Sequence, residues 1–444
     1  MLNLLTDVLK RAQERGATEA DAFLMESRAF SAQVRLGRVD TVKHAREQHL
    51  SLRVFSGKSA AAASTSDLSR ASVERLVDEA VALARITAPD ALSGLPDASE
   101  LAREIPALDL DDPTGHDLAP EDKIELARRG EAAALAVDPR ITNSEGGDFA
   151  DRRGHYAYAA SHGFAGEYAT SSFSLSVSPV ATQDGSMQRD GWYHVTRKRA
   201  LLDQPETIGK IAAQRALRRL GARQIKTCEV PIIFDPDMAA SLVRHIAGAV
   251  SGPSLYRGAS FLLGKLGQQI AAAGVTIVDD GTMPGGLGSR PFDGEGLPVR
   301  RTVVVDKGVL SSYLLDTYSA RKLGMASTHH GARDGAGVTV SATNLYLDRG
   351  TTDPKDLIKG VKQGLYVTEL IGFGVNGVTG DYSRGAVGLW IDNGELAYPV
   401  EEITIAGNLL DMFHAIEGIG SDLVFRDRTS APTILIGKMT VAGA

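Results

Sequence analysis

The chain has 444 residues, with 48 lysines and arginines against 55 aspartates and glutamates and a formal net charge of −7. That length can bury a sizeable core without disulfides or a structural metal, and the acidic balance gives no global attraction to phosphate backbones or anionic lipid. The single cysteine, Cys228, excludes an intrachain disulfide framework; without a signal-peptide pattern or an apolar run near 18 residues, the reading is a cytoplasmic protein with no membrane partner.

Leu2, Leu5, Val8 and Leu9 fall at helical spacing, and Val73, Leu76, Val77, Ala80 and Leu83 repeat the pattern over 67–86. Between them 20–55 alternate as strands, pairing Phe23 with Met25, Val34 with Leu36, and Leu50 with Leu52 and Val54. Five prolines over 87–120 predict a surface connection, and Pro120 followed by Glu121 and Asp122 opens a helix to about Val137. Strands broken by glycines follow over 141–196, then a helix at about 206–220 ending at Gly221.

The strand Glu229 to Phe234 runs into Asp235-Pro236 and an amphipathic helix over 238–250. An irregular break at 251–258, a second helical segment around 260–273, a short strand at 275–278 and a glycine-containing loop at 279–299 complete this part. Asp306-Lys307-Gly308 and Asn393-Gly394 mark two hairpins, and Leu409 to Ile416 reads as a late helix. The expected class is α+β: an N-terminal α/β domain at 1–220 and a mixed, strand-rich C-terminal domain at 221–444, with the working boundary near 220.

The search for chemistry yields few local motifs. No HExxH or HExxxH pair occurs, and Cys228 has no CxxC companion, so a metal site would need distant ligands. His329-His330 in a loop before Gly331 is open to metal or catalytic use, to backbone or carboxylate pairing, or to simple exposure. His245 reads as a core-edge or interface histidine rather than a ligand, and Cys228 as structural rather than nucleophilic. No GxSxG elbow is present; Ser251 and Ser289 merely occur in glycine-containing loops.

The run from Gly372 to Gly377 and on to Gly385 lacks the GxGxxG order and continues into a strand, which removes the basis for a pyrophosphate cradle. It is open to a substrate or partner groove or to a glycine-rich connection. Within it Arg384 and Asp381 either pair or meet the ends of an extended peptide, and Asn376 either bonds such a peptide or caps its own turn.

Three segments carry a resemblance: FDPDMAASLVRHIAGAVSG at 234–252, YRGASFLLGKLGQQI at 256–270, and GLYVTELIGFGVNGVTGDYSRGAVGLWIDNGELAYPVEEITIAGNL at 364–409. In this order they make the chain closely similar to the TldD/PmbA family, in its PmbA branch, also called TldE. The resemblance implies an N-terminal α/β domain and a C-terminal domain of curved antiparallel strands. It also implies a cytoplasmic metalloprotease in which TldD pairs with TldE, processing a peptide-antibiotic precursor and degrading unfolded polypeptides.

In the TldD branch a helix carries HExxxH, and continuing the shared segment backward places that window on Val243, Arg244, His245, Ile246, Ala247 and Gly248. Both histidine positions and the glutamate position have departed, and no cysteine stands for the late cysteine ligand. The resemblance therefore implies a subunit with no catalytic or metal residues of its own and no cofactor, assembled with a TldD-like partner that carries a metal, expected to be zinc.

Such a subunit would help enclose a channel for extended, unfolded peptides, with Arg257, Asn376, Asp381, Tyr382 and Arg384 as the substrate or interface candidates. The competing readings are a protein-binding regulator, in line with the family's description as modulators of DNA gyrase, and an autonomous hydrolase with an unfamiliar site. Direct nucleic-acid binding is not expected, and homodimerisation of the isolated chain is left open.

Overall fold

The structure is a computed structural model and describes residues 1–443. In the N-terminal half the elements are α1 (Leu2–Glu14), β1 (Glu19–Arg35), β2 (Arg38–Ser56), β3 (Ser59–Thr65), α2 (Arg70–Ile86), α3 (Pro120–Leu135), β4 (Ile141–Ala160), β5 (Ala165–Gln183), β6 (Ser186–Arg189), β7 (Trp192–Thr196) and α4 (Pro205–Leu217). Its strands form one antiparallel sheet in the order β3-β2-β1-β4-β5-β6, with β7 also on β5.

Alternation over 17 to 20 residues lets each of the four long strands present one side to helices. Ala20, Ala22 and Leu24 of β1 join Leu50, Leu52 and Val54 of β2 against the apolar stripes of α1 and α2. The core face of β1 therefore belongs to Leu24, while Phe23 and Met25 lie on the other side of the strand, half-buried. Leu36 is not a strand residue: it turns the β1–β2 hairpin at φ 48° and is exposed. Further along the sheet, α3 and α4 cover Phe149, Phe173, Leu175 and Val177. The proline-rich stretch holds no long helix or strand, as predicted, and Pro120 does occupy the first turn of α3.

The C-terminal half contains β8 (Cys228–Phe234), α5 (Pro236–Ala249), α6 (Gly252–Tyr256), β9 (Ile277–Asp280), β10 (Arg301–Asp306), β11 (Val309–Leu310), α7 (Thr317–Leu323), β12 (Gly331–Asp334), β13 (Gly337–Val340), β14 (Leu345–Leu347), α8 (Pro354–Lys359), β15 (Gln363–Ile371), β16 (Asp381–Asp392), β17 (Glu395–Asn408), α9 (Leu409–His414), β18 (Ile416–Ile419), β19 (Thr429–Ser430) and β20 (Ile434–Ala442). One sheet runs β17-β16-β15-β8-β20-β18, and β17 also pairs with β20, so five strands close on themselves into a small barrel. A second sheet runs β11-β10-β9-β14-β19, and β12–β13 stand as a separate hairpin.

Asp235 starts α5 by accepting from the Met238 N–H at 3.0 Å, and the buried face of that helix packs with Ile232, Phe234, Leu345 and Leu365. Through α5 the barrel and the second sheet share one core. The α+β class and the strand-rich second half match expectation.

Two further local readings fail. Residues 260–273 form turns rather than a helix, because Gly264 and Gly267 take φ of 71° and 78°, which reverses the chain twice within one would-be helical stretch. The break at 251–258 instead contains the short helix α6, started by Pro253. No helix among the described residues is long and apolar enough to cross a membrane.

Candidate functional site

The segments with the strongest motif content meet around the exposed side of α5. Arg244, His245 and Gly248 on the helix, Phe261 in the following turns, and Gly372, Phe373 and Arg384 from the β15–β16 connection and β16 line a cavity of about 340 Å3. The periodicity of α5 explains who points there: Val243 and Ile246 are buried in the core, so Arg244, His245 and Gly248 are left for the opposite side.

Of the predicted residues, Tyr382 and Arg384 come together with His245. The His245 and Tyr382 rings meet edge-on with centroids 6.2 Å apart. Burial, with help from Arg384 and Arg244, lowers the pKa of His245 and so favours the neutral imidazole. Burial likewise raises the Tyr382 phenol well above its usual range, against a smaller opposing effect of Arg384. The His245 Nε2, the Tyr382 hydroxyl and the Arg384 Nε are all buried without a hydrogen-bond partner, so polar capacity is stored at this place. Arg384 donates from Nη2 to the Leu370 carbonyl at 3.2 Å.

Asn376 and Asp381 lie beside this cavity but serve the loop. The Asn376 Oδ1 accepts from the Val378 N–H at 2.9 Å, and Asp381 accepts from the Thr379 hydroxyl at 2.6 Å. No ion pair joins Asp381 to Arg384 among the described residues. The loop lies tight on β16, since a Cβ on Gly374 would fall 1.9 Å from the Ser383 carbonyl oxygen. Arg257 sits apart, exposed at the end of α6 with its guanidinium 5.5 Å from the Tyr256 ring centroid.

The other sequence candidates resolve into packing. His330 is buried and bonds Asp279 through Nε2 at 3.0 Å and Thr328 through Nδ1 at 2.9 Å. His329, at φ 62°, turns away to the Pro298 carbonyl at 2.8 Å, so the adjacent pair divides between carboxylate and backbone partners. Ser289 donates to the Met283 carbonyl and accepts from Asn344, and burial raises the Cys228 thiol, which leaves it unactivated.

One arrangement escaped the sequence reading. Asp151, His116 and Ser171 align as in a nucleophile relay, with His116 Nδ1 3.0 Å from Asp151 and Nε2 3.1 Å from the Ser171 hydroxyl. Ser171 is fully buried and donates to Asp111 at 2.6 Å, so its oxygen is presented to no substrate. The group braces the β4–β5 sheet against the 111–116 connection, and its members share no local motif that could have announced them.

For metal chemistry, only His245 within 243–248 carries a ligating atom, and no group of three or more His, Cys, Asp or Glu residues is placed to hold an ion among the described residues. With this geometry in place, comparison with known proteins is informative. Sequence profiles of the PmbA/TldA metallopeptidase match as domain 1 over 20–84, central domain over 113–220 and C-terminal domain over 227–443. The Escherichia coli O157:H7 protein named Metalloprotease PmbA is 39% identical over 424 residues, spanning 96% of this chain and 92% of its own. A crystal structure from Bacteroides thetaiotaomicron, assigned as a modulator of DNA gyrase, superimposes with a TM-score of 0.92 at 29% identity, covering 100% of this chain and 98% of that one. TldE from Thermococcus kodakarensis has the same fold, with a TM-score of 0.89 at 22% identity over 99% of this chain and 100% of its own.

Proposed function

The chain belongs to the PmbA/TldD metallopeptidase family, in its PmbA (TldE) branch, and from that premise we propose that it is the catalytically silent subunit of a heteromeric peptidase. A TldD-like partner supplies the metal and the activated water; this chain contributes a wall of the chamber that receives extended, unfolded peptides in the cytoplasm. Residues 1–220 and 221–444 act in this reading as its two working units.

The observation that carries the proposal is the donor set on α5. A zinc-water peptidase needs several neutral or anionic ligands and a proton acceptor on one helix face. Here the two histidine positions of the motif hold Val243 and Gly248, the glutamate position holds Arg244, and the one imidazole, His245, feels the positive charge of Arg384 and Arg244. Those residues do not fit a cation. The glycine-bearing loop beside them, with Phe373 wholly exposed and Ile371 and Val378 about half exposed, supplies an apolar rim suited to a partner surface or a peptide.

The test is hydrolysis of an unstructured peptide by this chain, by its TldD-like counterpart and by their mixture, with bound metal quantified in each sample. Cleavage confined to the mixture, with the metal in the counterpart, is the expected result. Metal-dependent cleavage by this chain alone overturns the assignment. Full cleavage by the counterpart without this chain would instead favour the regulator reading.

A further inference from the structure

A larger cleft, of about 620 Å3, lies away from α5, between the seven-stranded sheet and the C-terminal half. One wall is aromatic: Tyr156 stacks on Tyr168 with centroids 5.2 Å apart, and Phe292 meets Tyr168 edge-on at 5.4 Å. The polar part of the lining is dominated by arginine. Two of these are neutralised, Arg333 by Asp21 at 2.9 Å and Arg152 by Glu47 at 3.6 Å. The remaining three, Arg197, Arg290 and Arg428, make no ion pair among the described residues.

Arg197 is the telling one. It is 8% exposed and spends its donors on carbonyl oxygens: Ser171 at 3.0 Å, Leu287 at 2.6 Å and Gly286 at 3.4 Å. Its hydrogen bonds are satisfied while its charge is not, and burial followed by Arg428 lowers its pKa. Arg290 reaches the Ser341 carbonyl at 3.3 Å but leaves Nε buried with no acceptor. Desolvating a guanidinium without a counter-ion is costly, and a cleft that holds the buried Arg197, the half-buried Arg290 and the exposed Arg428, none of them ion-paired, around one aromatic wall is complementary to an anion.

The carboxylates present do not fill that role. Asp293 is committed to the backbone N–H groups of Glu295, Leu297 and Gly331, and burial beside Glu295 pushes its pKa up, toward the neutral form, against a smaller opposing influence of Arg290, with which it forms no ion pair. Asp427 accepts from its neighbour's backbone N–H and faces Arg244 at 4.0 Å. Asp334 and Asp427 are exposed at the mouth, so a continuous phosphate backbone would meet them, whereas a peptide with spaced acids can avoid them.

We infer that this cleft binds acidic side chains of an extended peptide, with Arg290 and Arg428 pairing to its carboxylates, Arg197 supplying fixed positive charge, and Tyr156, Tyr168 and Phe292 covering its apolar parts. This rests on the peptide-handling role proposed above and adds a preference for sequence: acid-rich segments are drawn to this chain rather than to the metal-bearing partner.

The experiment is fluorescence anisotropy on the full chain alone, with three labelled probes of equal length: a Glu/Ser peptide, its Gln/Ser counterpart and oligothymidylate. The Glu/Ser peptide should bind at least tenfold tighter than the other two, with an affinity that falls as salt rises. Arg428→Gln, at an exposed position, and Arg290→Gln, checked by thermal melting, should each weaken that peptide about tenfold and leave the Gln/Ser peptide unchanged. Equal affinity for the two peptides, tighter binding of oligothymidylate, or no effect of Arg428→Gln overturns the inference. No partner is needed for binding, so failure here with cleavage intact in the mixture removes only the cleft, and failed cleavage with charge-selective binding removes only the silent-subunit reading.

Discussion

Asp21→Asn probes the junction between the N-terminal sheet and the C-terminal half. Asp21 on β1 is fully buried and accepts hydrogen bonds from Arg53 on β2, from Arg333 Nη1 on β12 at 3.1 Å and from the Tyr158 hydroxyl on β4 at 3.2 Å. Burial by itself would raise this carboxyl, but Arg333 and Arg53 together bring it down to about 2 from 3.8. Nearly two units at 1.36 kcal/mol each amounts to about 2.5 kcal/mol of stability. Because the folded value is the lower one, that contribution is complete above pH 4 and is lost as pH falls toward 2. The substitution also leaves Arg333 without its ion-pair partner, while Arg53 keeps Glu295 at 3.8 Å, for a total cost of about 3–5 kcal/mol at neutral pH. Urea unfolding of both proteins from pH 7 downward reads the effect, and Arg333→Met in each background isolates the pair. A loss below about 1 kcal/mol at pH 7, or a gap between the two proteins that stays constant from pH 4 down, refutes the reasoning.

His330→Ala should lower stability by about 2–3 kcal/mol, because Asp279 would keep only Thr343 as a buried partner; metal bound by a mixture with the proposed TldD-like counterpart should not change, and its loss would assign His330 to the metal after all. A fluorophosphonate probe should leave Ser171 unlabelled, since the hydroxyl is buried and already donates to Asp111; a modified Ser171 in a peptide digest would reopen the autonomous-hydrolase reading. Gly394→Ala should cost about 1–3 kcal/mol in thermal or urea unfolding, because φ is 82° and the new Cβ would lie 2.8 Å from the Lys359 carbonyl oxygen. A neutral result there would mean that the β16–β17 turn relaxes more freely than its packing on α8 suggests.

How much of this was legible in the sequence depends on whether a feature is decided within a few residues. Lys307-Gly308 and Asn393-Gly394 were readable as hairpin turns because the φ pairs of 49° and 84°, and 49° and 82°, are a local demand that those residue types meet. The helices α1, α2 and α5 were readable because each carries its own apolar stripe. Residues 260–273 misled for the same reason in reverse: Leu262 and Ile270 are core residues, and apolar spacing cannot reveal that turns at Gly264 and Gly267 bring them there. His329-His330 shows that adjacency is poor evidence of convergence, since one positive φ sends the two rings to different partners. The reverse case is Arg197, Arg290 and Arg428, whose meeting depends on the sheet, the 287–294 loop and the segment before β19 all docking together. Each alone reads as one more surface arginine; only the fold reveals that the carboxylates beside them form no ion pair with them, and that missing pairing is what makes the cleft specific enough to test.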